Sequence, residues 1–104
     1  SAKGAREGFN SFRALKRQLG SAGEGKQWHH IVEQSKLGQF GAKAIHNTDN
    51  VIAIPRPIHE KISGFYSSIQ DFTKGQTVRK WLDGQSFSAQ HNFGIDTLKK
   101  FGAL

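Results

Sequence analysis

Apolar residues recur along this chain with two different periods. Phe12, Leu15 and Leu19 fall at i, i+3 and i+7, the spacing of one helix face, with Asn10 or Ser11 as the cap and Gly20 as the stop. After a loop over 20–26, QWHHIV (27–32) gathers aromatic and β-branched residues and reads as a strand. VIAIP (51–55) is a second strand, apolar on both faces and ended by Pro55. Pro57 stands where a helix begins, since its missing N–H costs nothing in the first turn. Ile58, Ile62, Phe65 and Ile69 then predict a core-facing stripe, beside a second stripe of His59, Ser63 and Tyr66. Between the strands, 33–49 predicts one helical turn and a loop rich in Gly, Asn and Asp that closes on HNTDN. The tail predicts two more helices, TVRKWL and SFSAQHNFGIDTLKKF, with Val78, Trp81, Leu82, Phe87, Phe93, Leu98 and Phe101 in the core. Residues 1–8 are small and polar and are expected to fray. No internal repeat or low-complexity tract interrupts this order, which describes an α+β domain.

Length and composition narrow the picture. At 104 residues, 36% of them apolar, the chain forms one globular domain over 1–104. Fifteen Lys and Arg against eight Asp and Glu leave a net charge of +7, which favours a polyanionic partner, nucleic acid first. The absence of cysteine excludes a disulfide framework, a thiolate nucleophile and a Cys-ligated zinc. Any tightly held metal must use His, Asp, Glu or Asn. No apolar run has the length of a membrane span, and SAKGAREG does not read as a signal peptide, so no membrane partner is expected. Without a methionine, either the initiator was removed or the chain is a piece of a longer protein.

The histidines give these elements a chemistry. Phosphodiester hydrolysis needs a base for water, a cation to offset charge on the phosphate and leaving oxygen, and something to hold the base in place. His29 and His30 are adjacent on the first strand, and such a pair shares a site only at a strand end or bulge. His59 lies on the first turn of the facing helix, and Asn50 opens the second strand with an amide that both donates and accepts.

The residues WHHIVEQ, DNVIAIP and the His of RPIHEK resemble the His-Me finger nucleases. The likeness is strongest to the HNH, or ββα-metal, group that includes colicin-type DNases and toxin domains of secreted bacterial effectors. The motif covers about 27–69, and Asn50 to His59 is nine residues, as in the colicin-like pattern. The resemblance implies a ββα-metal core wrapped by N- and C-terminal helices. It makes His29 and His59 metal ligands, His30 the general base and Asn50 the holder of the loop. It departs at Ser63, where colicin-like DNases carry a further histidine, so Mg²⁺ or Mn²⁺ is preferred here over Zn²⁺ or Ni²⁺.

The resemblance further implies an interbacterial effector domain acting in the target-cell cytoplasm, with an acidic immunity protein as partner. DNA is preferred over RNA as substrate, with little sequence preference. A ribonuclease using the same site, and a non-catalytic nucleic-acid-binding module with a structural metal, remain alternatives.

Lesser candidates surround this set. His46 in HNTDN and Ser63 lie near the site, and Glu33 follows the doublet closely enough to orient an imidazole. Solvated side chains are the simpler expectation for His46 and Glu33. Lys36, Arg56 and Lys61, with Lys26 and Lys43, flank the core as candidate phosphate contacts. Trp28 and Tyr66 are expected to pack in the interior, and His91 to lie on the surface.

Overall fold

The computed structural model describes residues 6–104. Helix α1 (Phe12–Leu19) starts where Ser11 Oγ accepts the Ala14 N–H at 3.0 Å, and it ends at Gly20, whose φ of 80° suits glycine. Strands β1 (Lys26–His30) and β2 (Val51–Pro55) form a two-stranded antiparallel sheet, with Trp28 opposite Ala53 and His30 opposite Val51. Helix α4 (Arg56–Tyr66) follows β2 directly and packs on both strands. The chain is therefore α+β, with a strand–strand–helix unit at its centre.

Between the strands the chain is more helical than its sequence pattern predicts. A 3-10 turn (Gln34–Lys36) leads into α2 (Leu37–Phe40), and Gly41, at φ 87°, separates it from α3 (Ala42–Ile45). Each piece is about one turn, too short to show a 3.6-residue period. Strand β1 also stops two residues short of the expected end. Beyond His30, the side chain of Asn50 replaces the opposing strand as partner for the backbone.

Ile54, Ile62, Tyr66, Val78, Leu82 and Leu98 form the buried core with Ile31. Trp81, Phe93 and Phe101 pack at its margin, drawn from α5 (Val78–Trp81), α6 (Phe87–Lys100) and the turn after it. Phe87 is half-buried and meets Phe40 edge-on, outside that cluster. Ile69 does not continue the core stripe. Helix α4 ends at Tyr66 with Ser67 as its cap, which leaves Ile69 62% exposed and bridged only to Thr77.

The expected fraying at 1–8 falls partly outside the described residues. Residues 6–9 are held in place: Thr48 N–H donates to Glu7 O at 3.0 Å, Phe9 N–H donates to His46 O at 2.9 Å, and Arg6 pairs with Asp49.

Helix α6 crosses the end of β1 so closely that only glycine fits at the crossing. A Cβ on Gly94 would stand 2.5 Å from the Ile31 carbonyl oxygen and 2.7 Å from Ile31 Cγ2. Gly94→Ala is expected to destabilise the fold by about 1–3 kcal/mol in urea unfolding with an unchanged slope. Gly38→Ala, on α2 with nothing within 4 Å of the added methyl, should be neutral or stabilising by up to about 1 kcal/mol. Equal effects at the two positions would contradict this packing.

Candidate functional site

Asn50 is fully buried and uses its whole amide. Its Oδ1 accepts the Val32 N–H at 2.9 Å, while Nδ2 donates to Val32 O at 3.0 Å and Ile45 O at 2.9 Å. Its backbone carbonyl accepts the Ile31 N–H at 2.7 Å. One residue thereby ties the exit of β1, the end of α3 and the start of β2 together. The histidine doublet and His46 sit on the segments so tied.

The doublet faces two ways. His29 Nδ1 lies 3.0 Å from His59 Nδ1 of α4, with the rings edge to face. His30 Nε2 lies 3.2 Å from His46 Nδ1, and Phe12 of α1 packs its ring edge-on against His30 and parallel to His46. His29, His30 and His46 are all buried. His46, expected in solvent, is instead the partner of His30. Its burial follows from the Asn50 clip on Ile45 and from the Phe9 bond to its own carbonyl.

Burial disfavours charge on these rings. It pushes His29 down to about 4, with the neighbouring His59 adding to the effect. His30 is also held at about 4, by burial first, then by His46, His29 and His59. His46 is lowered by burial as well. Neutral imidazoles are what a metal ligand or a general base needs.

His29, His30, His59 and Ser63 line one open cleft of about 320 Å³, with Trp28, Glu33 and Arg79 also in its wall. The Nδ1 pair of His29 and His59 suits a cation. Two nitrogens bound at about 2.1 Å and at right angles would stand about 3.0 Å apart. Among the described residues no group of three or more His, Cys, Asp or Glu side chains converges, so the pair would supply one edge of a coordination shell and leave the rest to water and substrate oxygens. Ser63, one turn beyond His59, lines the same cleft with a hydroxyl.

Other expectations are revised. Glu33 neither orients an imidazole nor lies in solvent, because Arg79 Nε and Nη2 donate to its two carboxylate oxygens at 2.7 and 2.8 Å. Arg79 carries no sequence motif, yet it stands in the cleft wall and also donates to Ser67 Oγ at 2.8 Å. Lys36 is no phosphate contact. It is 3% exposed, and its ammonium donates to the Arg79 carbonyl and to Asp83. Arg56 and Lys61 are exposed. Tyr66 is buried, its hydroxyl pushed up to about 12 by desolvation, so it packs rather than acting as an acid. Trp28 is half-buried, its indole N–H donating to Gly20 O at 3.0 Å. His91 is half-buried too, donating from Nε2 to the Asp49 carbonyl at 3.0 Å.

The depressed imidazoles make the metal-free protein acid-sensitive. Unfolded histidines take up protons near 6.5, whereas His29 and His30 resist them down to about 4 when folded. Between those values the unfolded chain binds more protons. Stability is therefore full above about pH 6.5 and falls as pH approaches 4. Thermal melts in EDTA from about pH 7.5 to about pH 4.5 should show a steady drop in Tm. An unchanged Tm over that range would show that these rings are not held neutral.

Compared with protein-family models, curated proteins and solved structures, the chain matches none.

Proposed function

We propose that the chain is a metal-dependent endonuclease that hydrolyses phosphodiester bonds, in DNA by preference and with little sequence selectivity. The observation that carries this reading is the division of the doublet. His29 meets His59 across the cleft, while His30, one residue on, is held by His46 and reaches the same cleft.

Each side chain then has one task. His29 and His59 hold a divalent cation, Mg²⁺ or Mn²⁺ rather than Zn²⁺ or Ni²⁺. When bound, it offsets negative charge building on the phosphate and on the leaving oxygen. His30, neutral through burial, accepts the proton of the attacking water. His46 Nδ1, at the far nitrogen of His30, fixes which nitrogen of that ring faces the cleft. Asn50 keeps both histidine-bearing segments in register. Arg56 and Lys61 remain candidates for holding the substrate backbone, and Lys36 does not.

A ribonuclease working without metal would need a general base and a general acid in contact with the substrate. His29 and His59, 3.0 Å apart and both in the cleft, are the closest pair of imidazoles for those roles, and cleavage in EDTA distinguishes that reading from the metal-dependent one. The sequence resemblance extends the proposal to a bacterial effector domain delivered to a target-cell cytoplasm. An acidic immunity protein would then neutralise a nuclease of net charge +7.

Plasmid and total RNA, each digested with and without EDTA, test the reading. Nicking of plasmid that requires Mg²⁺ or Mn²⁺ is expected. Because His30 is buried, His30→Gln is a better probe than alanine, which would leave a cavity. It should cut turnover by about 10²–10⁴-fold with metal affinity kept. His29→Gln should weaken metal binding as well. EDTA-resistant cleavage of RNA, or near wild-type turnover in His30→Gln, would overturn the proposal.

A further inference from the structure

Beside the histidine cleft lies a second groove of about 390 Å³, walled by Phe12, Gln27 and Trp28, which belong to both, and by Lys16, Lys26 and Arg56. Its three cations come from three different segments. Lys16 stands on the outer face of α1, its ammonium 4.3 Å from the centre of the Phe12 ring. Lys26 opens β1, and the hairpin register sets it opposite Pro55, just before Arg56. The Arg56 N–H donates to Gly25 O at 3.1 Å, closing the open end of the hairpin. The Trp28 indole bond to Gly20 O ties the end of α1 to the same place.

The segments that build this groove are basic. The stretches 12–28 and 51–58 carry Arg13, Lys16, Arg17, Lys26 and Arg56, against Glu24 alone. The ion pairs among the described residues engage Arg6, Lys36, Arg79 and Lys80 and leave the three groove cations unpaired.

We infer that this groove holds the phosphodiester backbone of the bound nucleic acid on one side of the cleaved bond, with Lys16, Lys26 and Arg56 as its phosphate contacts. The inference rests on the nuclease reading and gives it a direction, since the strand enters over the open end of the hairpin and meets the histidines past Trp28. Shared walls make the two clefts one continuous track. Recognition is of phosphate rather than bases, so it reads through ionic strength.

Binding measured in EDTA separates this from catalysis. Fluorescent duplex DNA and single-stranded RNA of equal length would be titrated at several salt concentrations against three proteins of confirmed fold. The first is Lys16→Gln/Lys26→Gln/Arg56→Gln. The second, Lys74→Gln/Lys99→Gln/Lys100→Gln, removes the same charge from residues outside the groove. The third, Lys16→Arg/Lys26→Arg/Arg56→Lys, keeps the charge.

The first should weaken binding by about tenfold or more and reduce the salt slope by about 2–3, while the second changes both far less and the third restores them. Loss with DNA alone, or with RNA alone, identifies which backbone the groove carries and supports it in either case. Equal weakening by the first and second proteins, or none by the first, overturns the groove. A protein that binds in this pattern without cutting plasmid would overturn the nuclease reading and leave the groove standing.

Discussion

The buried amide of Asn50 is the constraint on which the rest of this structure depends. Where β1 ends, the backbone of Val32 would lose both of its hydrogen-bonding partners inside the protein. Asn50 supplies both and adds the carbonyl of Ile45. A buried polar group left unpaired costs about 1–3 kcal/mol, so removing this side chain would orphan three at once. The arrangement also has a geometric effect. It ends the sheet at His30 and brings the segment bearing His46 against the doublet, so that two adjacent histidines acquire different partners.

Two kinds of electrostatic environment follow from that arrangement and sit side by side. On one side, burial holds His29, His30 and His46 neutral. The adjoining face of α1 and the hairpin end is open and cationic. For the proposed nuclease, a neutral centre would keep lone pairs for a cation and a proton, and a cationic flank would draw a polyanion toward it. The Glu33–Arg79 pair lies in the wall of the histidine cleft, its two charges offsetting each other.

How much of this was legible in the sequence depended on whether a feature is local. The Ser11 cap, the Gly20 stop, both strands and the start of α4 follow from nearest-neighbour chemistry, and the sequence placed them within a residue or two. The doublet, Asn50 and His59 stood out by residue type and spacing. Features fixed by distant partners did not. Lys36 reads as a surface cation until Asp83 and the Arg79 carbonyl close over it. His46 reads as a loop residue until Asn50 and Phe9 pull its segment inward. Ile69 fits the helical stripe by spacing, yet the chain leaves the helix at Ser67 and turns through a capping box at Gln70 and Thr73. Arg79 has no motif at all; its bonds to Glu33 and Ser67 hold it in the cleft wall.

The central claim is that His29 and His59 hold the cation beside a general base at His30. Crystals soaked in Mn²⁺, with an anomalous difference map at the manganese edge, test it most directly. One peak within coordination distance of His29 and His59, lost in His59→Ala, is expected. No peak at that pair, or a peak between His30 and His46 instead, would contradict it.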